Sequence, residues 1–330
     1  MKFSRISTQP FIPRVEGTFH SQLVANPDLL EFKEVLYLFF RGQDERGHDQ
    51  IGMWSQPVAL ADGYTWEQKN SEPVIKVSVD PAAHDSNHIL DPAAVEFNEM
   101  IYLYYTSKSK RSENEYSISL AISSDGQIYE KFGNSPVLAG VIAPEVVYRD
   151  GSLYLFFQRH NLEKDCWEVY VRTSEDGKVF PEETERLVFE PHSSAQTIDS
   201  KSLATVRIFE ESDIYYMLYA ACETFLDYPE SIGLAKSTDL INWERYPDNP
   251  VFTRGEIGQW DEGAIWYPTI HKFQGKYLMF YEGAGVGLGV ESEAAQTASQ
   301  KARNENYGAY LETSFSQIGL SSYEGVLPKW

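Results

Sequence analysis

Five copies of one four-stranded unit run through this chain, and a repeat of that kind restricts the fold more than any single motif does. The second strands align as Val35-Leu36-Tyr37-Leu38-Phe39-Phe40, Ile101-Tyr102-Leu103-Tyr104-Tyr105, Leu153-Tyr154-Leu155-Phe156-Phe157, Ile214-Tyr215-Tyr216-Met217-Leu218-Tyr219 and Tyr277-Leu278-Met279-Phe280-Tyr281. These runs are continuously apolar, as in strands covered on both faces. Third strands recur as Ile51-Gly52-Met53-Trp54, Ser119-Leu120-Ala121-Ile122, Val169-Tyr170-Val171-Arg172, Ile232-Gly233-Leu234-Ala235 and Ile318-Gly319-Leu320-Ser321. Turn pairs follow four of them: Asp62-Gly63, Asp125-Gly126, Asp176-Gly177 and Thr238-Asp239. The unit repeats every ~50–70 residues, in the range of propeller blades.

The pattern predicts an all-β fold: a single five-bladed β-propeller over residues 1–330 with four-stranded blades. The fifth unit ends without a clear fourth strand. The segment around Phe3 to Ile12 is expected to supply it, so that no sheet edge stays open. An insertion at about 286–307, rich in Ala, Glu, Gln and Ser, interrupts the last blade and is expected to form a loop over one face.

Composition then limits the partners. The net charge of −21 argues against a nucleic-acid partner, because neutralising phosphates takes clustered Lys and Arg. It also favours a neutral over an acidic polymer as substrate. No segment is long and apolar enough for a membrane span, and no signal-like run opens the chain, so a cytoplasmic location is expected. Cys166 and Cys222 lie on different predicted blades, without disulfide-framework or metal-ligand spacing. Nothing in the sequence bears on oligomeric state.

In a propeller the first strands line the axis, so residues at their starts converge. Those starts carry acids: Asp28 in Asn26-Pro27-Asp28, Asp91 before Pro92, Glu145 in Ala143-Pro144-Glu145, Asp199, and Asp261-Glu262. The second-strand exits add Arg41, Ser107, Arg159, His160, Glu223 and Glu282. Crowded carboxylates push one another's pKa values apart, which makes a general acid and a general base from one residue type. Cleavage of a glycosidic bond uses such a pair. Trp54, Trp260, Trp266 and Tyr267 are candidates for stacking on sugar rings, set against blade packing as the plainer role. An acid-rich channel would also supply oxygen ligands for a central Ca²⁺, although no ligand-loop motif marks one and no cofactor is expected.

Three segments carry a family resemblance: Leu90-Asp91-Pro92-Ala93-Ala94-Val95, Ala143-Pro144-Glu145-Val146, and Trp260-Asp261-Glu262-Gly263 with Pro268-Thr269-Ile270. Through them the chain resembles the five-bladed glycosidases of glycoside hydrolase family 43 and its relatives, families 32, 117 and 130. The resemblance implies an inverting glycosidase with a carbohydrate substrate, Asp91 as base, Asp199 as pKa-tuning residue and Glu262 as acid. Around them, Asp28, Arg41, Glu145, Arg159, His160, Glu223, Trp266, His271 and Glu282 are the candidate substrate contacts. The order of acids begins on the second blade, whereas in the family the base is on the first, where Asn26 stands here. Counting back from Pro268 places Trp266 at the family's usual acid position. The resemblance to family 117 offers His271 or His160 as the acid instead. The resemblance to family 130 offers phosphorolysis, with Arg41, Arg159 and His160 around phosphate. A non-catalytic sugar-binding propeller is the third alternative.

Overall fold

The structure is a computed structural model, which describes residues 1–69, 72–110, 115–194, 196–285 and 315–330. The expected insertion at 286–307 lies outside the described residues. Blade 1 is formed by Leu23–Phe32, Val35–Gln43, Asp49–Pro57 and Glu67–Lys69. Blade 2 is formed by His88–Phe97, Met100–Lys108, Tyr116–Ser123 and Glu130–Lys131, and blade 3 by Ile142–Arg149, Ser152–Asn161, Cys166–Ser174 and Arg186–Phe189. Ser202–Glu211, Ile214–Cys222, Ser231–Ser237 and Glu244–Arg245 make blade 4. Ala264–Phe273, Lys276–Gly285 and Phe315–Tyr323 make blade 5, and the N-terminal pair Ser4–Arg5 completes it by pairing with Ser322 and Ser321. The first strands contact one another in sequence order, and that of blade 5 meets that of blade 1. Among the described residues no helix is long and apolar enough to cross a membrane.

The apolar second strands work as the sequence requires. Leu36, Leu38 and Phe40 join a core cluster shared with blade 5, while Tyr37 and Phe39 join one shared with blade 2. Ile101, Leu103 and Tyr105 face blade 1, while Tyr102 and Tyr104 face blade 3. Five such clusters are found among the described residues, one at each junction between neighbouring blades. Each blade therefore buries both faces, which contributes about 1.5–3 kcal/mol per fully buried large side chain.

The Asp turns lock the outer hairpins. Asp62, Asp125, Asp176 and Asp239 each accept two backbone N–H groups, two and three residues ahead. Four residues after each Asp comes an aromatic that packs into an inter-blade cluster: Trp66, Tyr129, Phe180 and Trp243.

A second repeated device sits on the first strands. Each carries one extra residue relative to its second-strand partner, between Ala25 and Asp28, Leu90 and Ala93, Ile142 and Glu145, Leu203 and Thr205, and Trp266 and Thr269. In four blades the bulge is a left-handed residue followed by proline: Asn26 (φ 50°), Asp91 (φ 52°), Ala143 (φ 53°) and Tyr267 (φ 48°). Proline fits there because the ladder is already interrupted. A bulge re-aims side chains, and left-handed non-glycine residues held by their surroundings gather at functional sites.

Candidate active site

The bulges separate the acids that look equivalent in sequence into three levels. The uppermost is a clasp in the loop before the first strands of blades 2, 4 and 5. Asp85 pairs with Lys131 at 2.6 Å, Asp199 with Arg245 at 2.6 Å and Asp261 with Arg5 at 2.7 Å. In each case the base belongs to a fourth strand, and a second-strand tyrosine adjoins: Tyr105 and Tyr281 donate to the carboxylates, and Tyr219 lies beside Asp199. Blade 1 has buried His20 in the equivalent loop.

Asp199, 1% exposed, is thus committed to Arg245 and does not line the funnel. Glu262 is also turned away: its carboxylate accepts Gly258 N–H at 2.7 Å within its own loop. Neither side chain is among the residues lining the funnel, where the resemblance implied a tuner and an acid. Asp199 ties its loop onto the blade, and Glu262 braces its own loop. Replacing Asp199 with Asn is expected to lower stability by about 1–3 kcal/mol, because a buried charge-assisted pair is lost, and to leave turnover unchanged. A loss of turnover at full stability would return Asp199 to the site.

The middle level is the funnel, about 320 Å³ in volume. Its wall brings together Asn26, Arg41, Asp91, Thr106, Gln158, Thr205, Trp266, Tyr267 and Glu282, with Tyr116, Trp167 and Asp227. Of the sequence-predicted residues it gathers Asp91, Arg41, Trp266 and Glu282, and of the stacking candidates Trp266 and Tyr267. Neighbouring blades are stitched here by hydrogen bonds. Ala143 N–H donates to Thr106 Oγ1 at 2.9 Å, Gln158 Nε2 to Leu203 O at 3.1 Å, Tyr267 N–H to Thr205 Oγ1 at 3.0 Å, and Asn26 N–H to Glu282 Oε2 at 3.1 Å.

Three carboxyls in the funnel have distinct environments. Burial raises the pKa of Asp91, while hydrogen bonds from the Tyr267 and Thr106 hydroxyls and the charges of Arg41 and Arg207 favour its anion. Burial raises Glu282 also, but it accepts from Asn26 N–H, from Asn26 Nδ2 at 2.9 Å and from Ser316 Oγ at 2.6 Å. These three bonds and the Arg41 charge favour its anion against that burial. Among the described residues Asp227 accepts a 3.4 Å bond from Trp266 Nε1. Asp227 is an exposed loop residue by surface area, but its carboxyl faces the funnel, where desolvation, followed by the charges of Asp91 and Glu282, pushes its pKa up to about 7.

Asp227 is the residue that sequence reasoning missed. It lies on the loop after the second strand of blade 4, four residues beyond Glu223, outside the repeat. The signal was present as an acidic and aromatic stretch, Glu223-Thr224-Phe225-Leu226-Asp227-Tyr228. Glu223 itself is exposed, and its N–H donates to Glu230 Oε2 at 3.0 Å.

The lowest level closes the axis. The strand register places Asp28, Ala93, Glu145, Arg207 and Thr269 at one height, each opposite the penultimate residue of its apolar second-strand run. Arg207, 4% exposed in its side chain, reaches all the other blades. It approaches Asp28 at 3.4 Å and Glu145 at 3.1 Å, donates to Pro92 O at 2.7 Å and to Pro144 O at 3.1 Å, and lies 5.0 Å from the Tyr267 ring centre. Asp28 and Glu145 are therefore axial and structural, not funnel residues. A central Ca²⁺ does not fit these residues, because the guanidinium already supplies the positive charge between the two carboxylates.

The remaining sequence candidates lie elsewhere. Arg159 is bidentate to Glu185 at 2.7 and 3.0 Å. His160 stands 3.3 Å from Asp165 and packs on Trp167, one residue removed from the funnel wall. His271 packs on Phe273 near the opposite end of its strand. Trp54 packs on Phe11 and Phe40, and Trp260 on Tyr281, as blade core.

No protein-family model and no curated protein sequence matches the chain. Solved structures do. A thermostable family-43 glycoside hydrolase matches with TM-score 0.66 at 14% identity, over 96% of this chain and 94% of that one. The GH43_1 enzyme from Xanthomonas citri complexed with xylotriose matches with TM-score 0.63 at 14% identity, over 98% and 91%. An N-acetylgalactosamine deacetylase from F. plautii in complex with blood group B trisaccharide matches with TM-score 0.67 at 14% identity, over 97% and 95%. Over nearly its whole length, then, the chain has the β-propeller fold found in solved family-43 glycoside hydrolases.

Proposed function

We propose that the protein is a glycoside hydrolase whose funnel cleaves the glycosidic bond of a neutral sugar, with Asp91 as general base and Asp227 as general acid. The observation that carries this reading is the contrast between the two carboxyls in one cavity. Burial raises the pKa of Asp91 while two hydroxyls and two arginine charges favour its anion, whereas Asp227, pushed up to about 7, keeps a proton near neutral pH. In the reaction Asp91 takes a proton from water as the hydroxide part bonds to the anomeric carbon. Asp227 gives its proton to the departing glycosidic oxygen as that bond breaks. Glu282 supplies negative charge that keeps Asp227 protonated, and Trp266, whose indole N–H reaches Asp227, offers a face to the sugar. Inversion at the anomeric carbon is the expected outcome of this water-mediated route, and proton NMR of the first-formed anomer reads it directly.

Hydrolysis is favoured over phosphorolysis by the charge balance. Among the described residues lining the funnel, Arg41 is the single Lys or Arg, against Asp91, Asp227 and Glu282. Arg159 is already spent on Glu185. The solved neighbours support a carbohydrate ligand, since two of them are complexes with oligosaccharides. The deacetylase among them shows that the fold alone does not choose the reaction.

The test is a pH profile with glycosides of graded leaving groups. A protonated Asp227 is required, so kcat should fall as pH rises through about 7. Asp227→Asn should cost about 10²–10⁴-fold with a poor leaving group, much less with an activated aryl glycoside, and should remove the alkaline limb. Equal losses for both leaving groups would reject Asp227 as the acid. Absence of turnover across a broad glycoside panel, with tight oligosaccharide binding, would make the protein a sugar-binding propeller instead.

A further inference from the structure

Arg41 is anchored from outside the funnel, and the anchor bridges two blades. Its Nε donates to Asp49 Oδ1 at 2.6 Å. Asp49, at the start of the third strand of blade 1, is 1% exposed, and no residue of the funnel wall but Arg41 touches it among the bonds described. The same carboxylate accepts Gln43 Nε2 at 3.1 Å, and its other oxygen lies 2.5 Å from His88 Nδ1. His88 opens the first strand of blade 2, and Asp49 and His88 are also the backbone pair joining the sheets of blades 1 and 2. Burial works against ionisation of Asp49, but the Arg41 charge and the bonds from His88 and Arg41 outweigh it and hold the carboxyl below the usual range.

A guanidinium is a planar fork whose direction is fixed once one edge is tied. With Nε committed to Asp49, the other edge of Arg41 is left for the cavity, where Glu282 and Asp91 supply the neighbouring negative charge. We infer that Asp49, steadied by His88, is a positioning residue that orients Arg41 as the donor of paired hydrogen bonds to hydroxyls of the bound sugar. This inference rests on the reading of the funnel as a glycosidase site. Asp49 acts through Arg41 and touches neither substrate nor the reacting atoms.

Two measurements test it. Asp49→Asn keeps the shape of the side chain and removes its charge. The Arg41 Nε–H resonance in ¹⁵N–¹H NMR should be protected from exchange in the wild type and lose that protection in Asp49→Asn, with an intermediate loss in His88→Phe. In kinetics, Asp49→Asn should lower kcat/KM by up to about 10²-fold, mainly through KM, as misoriented binding groups do. In an Arg41→Ala background the same substitution should add no further loss, since coupled residues are non-additive. An Asp49 that only stabilises the fold would lower activity equally in both backgrounds and leave the Nε–H protected, and either result overturns the inference. If the wild type turns over no glycoside, the glycosidase reading fails, and the NMR comparison alone decides whether Asp49 positions Arg41.

Discussion

Asp91→Asn is expected to reduce glycoside turnover by about 10²–10⁴-fold, the scale of a lost general base, with no change in melting temperature. The expectation follows from how the chain spends its bonds around this residue. A left-handed backbone at φ 52° aims Asp91 at the cavity, and a proline after it fixes the bulge. The Tyr267 and Thr106 hydroxyls then donate to the carboxylate. An amide keeps the size and one acceptor oxygen, so the local fold should survive. What disappears is the capacity to take a proton from water. Full turnover in Asp91→Asn, by steady-state assay on the best natural-type substrate found, would remove Asp91 from the reaction and leave Glu282 as the remaining candidate base.

Arg207→Met should cost about 3–5 kcal/mol at neutral pH, as breaking a buried ion cluster does. Arg207 serves Asp28 and Glu145 together, and both carboxyls have pKa values raised by burial and restrained by its charge. Carboxyls raised in the folded state bind more protons than in the unfolded chain between the two sets of pKa values, so their burial weakens the fold as pH rises. Without Arg207 their pKa values rise further, and the loss with rising pH should steepen. The gap between variant and wild type should therefore narrow as pH falls toward about 4, leaving the cost of the unpaired Pro92 and Pro144 carbonyls. Urea denaturation at several pH values reads this. A small deficit that ignores pH would show that the cluster is not held by charge. Tyr267, which lies over Arg207 and donates to Asp91, gives the same variant a second expected effect, a weakened hold on the funnel carboxylate.

The propeller was legible in the sequence because burial on both faces leaves a pattern that cannot be hidden: five apolar second strands, one per blade. The closing strand was legible for a related reason, since an unfinished last blade demands a partner. The site was legible only in part. Asp91 and Tyr267 are marked by the proline that follows each, and Arg41 and Glu282 by their place directly after an apolar run. Acidity near a strand start was a poorer guide. Asp199 and Glu262 precede their bulges by several residues and sit at the level of the loops, while Asp28 and Glu145 follow theirs and sit deeper, on Arg207. Aligning the blades on the bulge rather than on the acids separates these levels. Arg207 illustrates the point, because it occupies the same register position as Asp28 and Glu145 and yet carries the opposite charge. Asp227 was not legible at all from the repeat, because it belongs to a loop outside the repeated strands.

The strand Ser4–Arg5 has a consequence for synthesis. It is made before its partner Phe315–Tyr323, and Arg5 waits for Asp261. During translation this segment must stay unpaired while four blades assemble, and the ring can shut only once the fifth has been made. Such long-range closure is slow relative to local pairing. A nascent chain of this protein therefore spends its youth as an open crescent with two unsatisfied edges.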